Sequence, residues 1–226
     1  MRDDQVIVAI DGPSGVGKTT TSKLVARELG VPHIDTGAMY RAVGLKAIRR
    51  GIDPSNAEEA VRLAADSSIE FRWVSGVPRV ILDGEDISDQ IRSPEVSMAA
   101  STISAISGVR RVLVELQQSR GRARGGVLEG RDIGTKVFPE TPHKFFLTAD
   151  SRTRAERRYR ELLAREDSAS LEEVTEDMVR RDRQDSTRSD SPLTCDDTYT
   201  VVDTTSMTVD DVVGAIVTSI RESLSD

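Results

Sequence analysis

The segment Val6–Leu29 places the strongest constraint on how this chain can fold. It reads VIVAID, then GPSGVGKT, then TTSKLVAREL. The apolar, β-branched first part predicts a buried strand, and the last part predicts a helix that ends at Gly30. Between them lies the spacing G-x-x-x-x-G-K-S/T, in which Lys18 follows the second glycine. The motif therefore stands between a strand and a helix, where its chemistry requires it.

This spacing predicts a loop that binds phosphate through its backbone. Glycines let the chain curl closely around an anion, and the backbone N–H groups and the positive end of the helix then face it. Lys18 can reach the β- and γ-phosphates of a nucleotide, and the hydroxyl of Thr19 or Thr20 can help to hold Mg²⁺, either directly or through water. The predicted nucleotide-binding residues are Gly12, Pro13, Ser14, Gly15, Val16, Gly17, Lys18, Thr19 and Thr20.

Length and composition narrow the class of protein. With 226 residues, one ordinary domain with a small insert is expected, and the net charge of −7 argues against nucleic acid as the main partner. The longest apolar runs are shorter than the ~20 residues that a membrane helix needs. Cys195 is the single cysteine, and the first strand begins too early for a signal peptide to precede it. We therefore expect a cytoplasmic protein without membrane contact or obligate protein partner, working as a monomer.

The rhythm of strands and helices predicts an α/β fold. Four later segments, VPHID, VLEG, HKFFLTA and YTVVDTT, read as strands, and helical patterns separate most of them. Five parallel strands with helices on both faces form a doubly wound sheet, in which the phosphate-loop strand is expected to be central. The predicted helices cover 36–51, 55–66, 94–122 with a break near Ser107, 151–166, 171–187 and 208–224.

One region interrupts this rhythm. The segments IEFRWV (69–74) and RVILDG (79–84) favour an antiparallel hairpin, and a third short strand is expected at Glu85–Ile87. We interpret about 67–93 as a small β-rich insert in a core formed by about 1–66 and 94–226.

Charged side chains follow two of the predicted strands. Thr36 is the expected N-cap of the helix after the second strand, which places Tyr40 and Arg41 near the strand end. Arg131 and Asp132 follow the strand VLEG in the same way. Since ligands of open α/β sheets gather at the carboxyl ends of the strands, these residues are candidates for a second substrate site. A packed tyrosine and a solvated arginine remain an equal alternative for the first pair.

Arginines crowd the last third of the chain. Arg181, Asp185 and Arg188 are spaced to share one face of the helix 171–187, either as an ordinary ion pair with a neighbour or as a cationic wall for phosphates. The helix 151–166 adds further arginines beside an expected mobile joint at 167–170. This pattern predicts an arginine-rich lid at about 150–170, because phosphoryl transfer depends on positive charge and on excluding water.

Taken in order, five segments resemble the bacterial cytidylate kinases. They are IDGPSGVGKTT, DTGAMYRA, DISDQIRSPEVS, EGRDIGT and RRDRQDSTR-x-x-SPL. The resemblance runs over nearly the whole chain. It implies a nucleoside monophosphate kinase fold with a CMP-binding insert and an arginine-rich lid, and transfer of the γ-phosphate of ATP to CMP or dCMP with Mg²⁺.

The resemblance also implies a role for each matching residue. Thr36, Arg41 and Arg131 would hold the CMP phosphate, and Tyr40 would line the nucleoside site. Ser101, Arg110 and Asp132 would face the cytosine, while Arg181 and Asp185 would contact the sugar. The catalytic group would consist of Lys18, Arg131, Arg157, Arg158 and Arg188, with Arg157 and Arg158 on the lid.

Three alternatives share the phosphate loop. A kinase for another small metabolite or nucleotide, such as shikimate or UMP, would differ in the base-reading residues. A GTP-binding switch usually carries N-K-x-D, which is absent from the sequence. A regulatory ATPase would need an apolar run ending in two acidic residues, which the sequence also lacks.

Overall fold

The elements below come from a computed structural model, which describes residues 6–74, 77–164 and 170–225. Its strands are β1 (Ile7–Asp11), β2 (His33–Asp35), β3 (Ile69–Val74), β4 (Val77–Leu82), β5 (Glu85–Asp86), β6 (Gly126–Gly130), β7 (His143–Thr148) and β8 (Thr200–Asp203). Its α-helices are α1 (Lys18–Leu29), α2 (Thr36–Arg49), α3 (Ala57–Ala65), α4 (Pro94–Ser104), α5 (Ser107–Arg124), α6 (Ser151–Leu163), α7 (Leu171–Thr187) and α8 (Val209–Ser223). A 3-10 turn spans Gln90–Arg92, and a π-helical turn spans Ile133–Val137.

The main sheet has five strands in the order β2-β6-β1-β7-β8. Strand β1 pairs in parallel with both β6 and β7, so that Val8 lies opposite Val127 on one side and His143 on the other. The predicted parallel sheet and the central place of the phosphate-loop strand are therefore confirmed. All five residues of β1 are buried, which explains its continuous apolar pattern.

The chain divides into two compact units. One unit comprises the residues up to His33 and from Gly121 onward, and the other comprises Ile34–Arg120. The predicted insert at 67–93 lies within the second unit, and its boundaries stay a prediction.

In the first unit, helices α1 and α8 pack on the sheet. Val25 of α1 and Ile216 of α8 are fully buried with Ile10 and Leu147 of the strands. Burial of each such side chain contributes about 1.5–3 kcal/mol. Helix α1 ends at Gly30 with φ +68°, as the sequence predicts. This packing fixes the strand ends from which the phosphate loop emerges.

The second unit combines helices with a small antiparallel sheet of strands β3, β4 and β5 in that order. The predicted hairpin and third strand are thus confirmed. Helix α2 packs closely against α4. A Cβ at Gly44 would lie only 3.0 Å from the backbone nitrogen of Ala100, so glycine permits this close approach. The predicted break near Ser107 is also confirmed, since α4 ends at Ser104 and α5 begins at Ser107.

None of the helices in the described ranges is long and apolar enough to cross a membrane.

Candidate functional site

The loop between β1 and α1 runs tightly against neighbouring backbone. A Cβ at Gly12, whose φ is +147°, would lie 2.2 Å from the carbonyl oxygen of Leu147. At Gly15, whose φ is +77°, it would lie 2.8 Å from the carbonyl oxygen of Arg154. Both positions therefore require glycine, and the loop leads directly into the first turn of α1, where backbone N–H groups form an anion site.

Lys18 is folded into this loop. Its Nζ donates hydrogen bonds to the carbonyl oxygens of Gly12, at 2.7 Å, and Pro13, at 2.6 Å. Burial lowers the pKa of Lys18 to about 7, and the positive charge of Arg131 acts in the same direction. A phosphate beside Nζ would favour the charged form, so this lysine is suited to respond to an anion.

Beyond β6, the structure brings four predicted site residues into one charged network. Nε of Arg131 donates to Asp185 at 2.8 Å, and Nη1 of Arg188 donates to the same carboxylate at 3.4 Å. Nη2 of Arg188 lies 3.7 Å from Oδ1 of Asp132. Burial acts to raise the pKa of Asp185, but the charges of Arg131, Arg188 and Arg181 outweigh it, and the pKa lies below its ordinary value. The carboxylate therefore stays ionised and orients the guanidinium groups.

The predicted helical position of Arg188 was wrong. Helix α7 ends at Thr187, and Arg188 is extended, with φ −63° and ψ 143°. Its side chain still returns to Asp185, while its Nε donates to the carbonyl oxygen of Ser191 at 2.6 Å. The network of Arg188 and Asp185 therefore forms although the two residues do not share a helix face.

The two predicted lid arginines have separate contacts on α6. Arg157 donates to the hydroxyl of Thr204 at 3.0 Å and to its carbonyl oxygen at 2.7 Å. Arg158 pairs with Glu161 on its own helix at 3.0 Å. Residues 167–169 of the expected joint lie outside the described residues, and Ser170 is the N-cap of α7. The lid stays a prediction.

Thr19 and Thr20 differ in their surroundings. Thr20 is exposed, whereas the hydroxyl of Thr19 donates to Oε2 of the buried Glu129 at 2.9 Å. A hydroxyl that donates its hydrogen bond to a carboxylate keeps its oxygen lone pairs for a cation, so Thr19 fits a magnesium ligand better than Thr20 does. Within the described ranges, His, Cys, Asp and Glu form no group of three or more that could hold a metal.

In the second unit, Asp35 rather than Thr36 caps helix α2. The side chain of Asp35 accepts a hydrogen bond from the backbone nitrogen of Ala38 at 3.0 Å, which corrects the predicted cap. An aspartate one residue earlier can cap equally well, so the pattern was ambiguous. Thr36 is buried in the first turn. Asp35 also binds Nη2 of Arg41 at 2.7 Å.

Three further predicted residues belong to the second unit. The guanidinium carbon of Arg110 lies 5.6 Å from the centre of the Tyr40 ring, and both residues are buried. Ser101 lies on α4 and is partly buried. Tyr40 is thus packed beneath a buried arginine, and this contact leaves both interpretations of Tyr40 and Arg41 open.

Sequence reasoning missed two residues that grip the phosphate loop. Asp182 of α7 accepts a hydrogen bond from the backbone nitrogen of Ser14 at 3.3 Å. Arg154 of α6 donates to the carbonyl oxygen of Ser14 at 3.1 Å and pairs with Asp182. Each is one of many charged residues in its helix, so no local pattern distinguished them. Glu129 was also missed, although an acidic residue inside an apolar strand is a visible signal.

Asp11 joins the start of the phosphate loop to the π-helical turn. Its carboxylate accepts hydrogen bonds from the backbone nitrogens of Ile133, at 3.0 Å, and Gly134, at 2.9 Å, and from the hydroxyl of Tyr199 at 2.7 Å. Burial raises the pKa of Asp11 to about 6, although these hydrogen bonds act to lower it. The turn follows Asp132 directly, so Asp11 helps to set the course of the chain there.

This raised pKa predicts a pH-dependent stability. The folded state holds the Asp11 proton more tightly than the unfolded chain does, so stability is lost as pH rises from the ordinary pKa of 3.8 to about 6. We expect the unfolding free energy of the wild type, relative to that of Asp11→Asn, to fall by about 3 kcal/mol between about pH 4 and pH 7. Urea unfolding at both pH values measures it. A constant difference would contradict the role of Asp11.

Comparison with known proteins assigns the family. A sequence model described as cytidylate kinase matches residues 8–222. The chain belongs to the cytidylate kinase family. It is therefore a kinase, and ATP is the phosphate donor that this membership implies.

Named relatives of the cytidylate kinase family agree over almost the full length. The cytidylate kinase of Geobacter sp. strain M21 is 45% identical over 225 residues, covering 100% of this chain and 97% of the relative. That of Geobacter sulfurreducens is 47% identical over 217 residues, covering 96% and 93%. A solved structure of an uncharacterized protein from Eubacterium ventriosum matches with a TM-score of 0.55 at 14% identity, covering 97% of this chain and 99% of that chain. This last likeness shows the shared fold alone.

Proposed function

We propose that this enzyme transfers the γ-phosphoryl group of ATP to CMP and dCMP, yielding ADP with CDP or dCDP. The observation that carries the proposal is the buried Lys18 in a glycine-lined loop that leads into a helix N-terminus, in a chain of the cytidylate kinase family. The arginine network at the end of β6 supports it, since the reacting phosphates carry dense negative charge.

In this proposal the backbone of the loop Gly12–Thr20 binds the phosphates of ATP. Lys18 supplies positive charge to the transferring group, and Arg157 and Arg158 approach it from α6. Because Arg154 and Asp182 hold both backbone groups of Ser14, they keep the loop in shape. Thr19 would take part in holding Mg²⁺, which, when bound, neutralises charge on the phosphates.

The acceptor residues are assigned by charge and position. Arg131 and Arg188 would bind the CMP phosphate, with Asp185 orienting both, and Arg181 and Asp185 would contact the sugar. Asp132 would read the cytosine amine. In the second unit, Thr36 and Arg41 are assigned to the phosphate, Tyr40 to the nucleoside, and Ser101 and Arg110 to the base.

No general base is required for this reaction. The attacking oxygen belongs to a phosphate of CMP that is already anionic, so the enzyme has only to align it with the γ-phosphorus and to stabilise the charge. We therefore assign Asp132 and Asp185 to recognition and orientation.

A panel of acceptors tests the proposal. ADP formation is measured with CMP, dCMP, UMP, AMP, GMP and shikimate at matched concentrations, and kcat/KM is obtained for each. We expect CMP and dCMP to be the best acceptors. A preference for UMP, for shikimate or for a purine nucleotide would favour a kinase of another substrate and overturn the proposal.

Closure of the proposed arginine-rich lid gives a separate prediction. Binding of ATP together with CMP is expected to slow hydrogen exchange in α6, because the phosphates would draw its arginines into lasting contacts. Mass spectrometry of exchange in the free and doubly liganded protein measures this, with α8 as the internal control. Equal exchange of α6 in the two states would count against a lid.

Cytoplasmic location and a monomeric state stay predictions. The first rests on the single cysteine, Cys195, and the second is tested by light scattering of the purified chain.

A further inference from the structure

A buried chain of hydrogen bonds runs from the phosphate loop to the start of β2. The hydroxyl of Thr19 donates to Oε2 of Glu129 at 2.9 Å, and Oε1 of the same carboxylate lies 3.0 Å from Nε2 of His33. The side chains of His33 and Glu129 are only 3% and 4% exposed. Oγ of Ser22 also lies 3.0 Å from Nε2 of His33.

The donors and acceptors in this chain fix where the hydrogens are. An Nε2 without a hydrogen would place its lone pair 3.0 Å from a carboxylate oxygen in a dry site, which is unfavourable. Nε2 of His33 therefore carries the hydrogen and directs it to Glu129. The hydroxyl of Ser22 can then donate to the carbonyl oxygen of Thr19 at 3.4 Å. Each oxygen of the carboxylate thus receives a hydrogen bond in this chain.

This arrangement ties the orientation of the Thr19 hydroxyl to the imidazole. If His33 lost its donor, the carboxylate of Glu129 would be left with a buried oxygen lacking that hydrogen bond and would rotate or draw in water. Oε2 would then no longer accept the Thr19 proton in the same geometry. The lone pairs of Thr19 would in turn be less well directed toward a cation beside the phosphates.

We propose that His33 is a positioning residue that, through Glu129, orients the Thr19 hydroxyl for the divalent cation that accompanies ATP. The inference rests on the proposed function but concerns a residue that the proposal assigns to neither substrate. Glu129 is the direct hydrogen-bond partner of the Thr19 hydroxyl, and loss of such a partner typically costs about 10–100-fold in metal affinity or activity. His33 acts one hydrogen bond further away, so the low end of that range is expected for its loss.

Two substitutions at His33 and one control test the proposal. His33→Leu removes the donor, and His33→Gln keeps an N–H near the place of Nε2. His143, the second of the two histidines, is also buried but begins β7, at the opposite end of the strands from the loop. His143→Leu therefore controls for the cost of losing a buried imidazole.

The readout is the Mg²⁺ concentration that gives half-maximal CMP phosphorylation at saturating ATP. His33→Leu is expected to raise it roughly tenfold, with little change in KM for CMP, whereas His33→Gln and His143→Leu stay near wild type. An unchanged Mg²⁺ requirement in folded His33→Leu, or an equal rise in His143→Leu, would overturn the proposal.

A second measurement needs neither metal nor turnover. The ¹⁵N NMR spectrum of the wild-type imidazoles in metal-free protein distinguishes a protonated Nε2 from an unprotonated one. We expect His33 to carry its hydrogen on Nε2, and an unprotonated Nε2 would overturn the proposal even if His33→Leu did not fold. If the wild type failed to phosphorylate CMP, the proposed function would fail while the NMR result would still decide the hydrogen-bond chain.

Discussion

Replacing Lys18 with methionine is expected to lower kcat by roughly a thousandfold or more, because the side chain supplies charge that is needed most when the phosphoryl group is between donor and acceptor. Methionine keeps the unbranched shape and removes only the ammonium group. Steady-state kinetics with ATP and CMP measure the effect. Lys23→Met, which makes the same change on the same helix, is expected to retain wild-type turnover.

We expect Lys18→Met to fold, and its free energy of unfolding, measured as a function of pH, checks this. Since the folded state lowers the pKa of Lys18 to about 7, burial of its charged form costs free energy below that pH. The stability of the wild type should therefore rise as pH increases above 7, and any stability advantage of Lys18→Met should be largest at lower pH. A folded Lys18→Met with near wild-type kcat would contradict the catalytic role.

Substitution of Asp132 is expected to change the choice between pyrimidines. Cytosine offers an exocyclic amine, from which a carboxylate can accept a hydrogen bond, whereas uracil presents a carbonyl oxygen at that place. Loss of a hydrogen bond to a charged group costs roughly 1.5–3 kcal/mol, about ten- to a hundredfold in kcat/KM. Asp132→Ala should therefore lose most CMP activity and much less of any UMP activity.

The structure supplies a competing role that the experiment must separate. Asp132 lies 3.7 Å from Nη2 of Arg188, so its loss could act only by displacing that arginine. In that case CMP and UMP would suffer equally. Asp132→Asn sharpens the test, because its amide can donate to the uracil carbonyl and should move the CMP-to-UMP ratio of kcat/KM further toward UMP. An unchanged ratio in both stable variants would remove Asp132 from base reading.

The fold was predictable because its signals are local. The β-branched run before Gly12 and the helical pattern after Lys18 can each be recognised within a few residues. The right-handed crossover rule then places β1 in the centre of the sheet, where it is found. The hairpin of β3 and β4 was also recognisable from its local sequence. The phosphate loop has a strand pattern before it and a helix pattern after it, so its place in the site could also be derived from the sequence.

The remainder of the site depends on contacts between distant residues. Asp182 meets Ser14 across 168 positions, and His33 meets Glu129 across 96, so no window of sequence reveals either pair. The cap at Asp35 shows a local limit as well, because Asp35 and Thr36 are both good capping residues and only the backbone course chooses between them. Helix α7 ends at Thr187, as predicted, so Arg188 lies one residue beyond the helix and the i, i+7 spacing does not apply to it.

The central claim is that the γ-phosphoryl group of ATP moves to the phosphate of CMP. It is tested most directly by ³¹P NMR of a mixture of enzyme, Mg²⁺, ATP and CMP, which follows the nucleotides themselves without a coupling enzyme. We expect CDP and ADP to appear in equal amounts as ATP and CMP disappear, and Lys18→Met prepared in the same way to form almost no CDP. Release of inorganic phosphate with CMP left unchanged, or CDP formation that Lys18→Met retains in full, would contradict it.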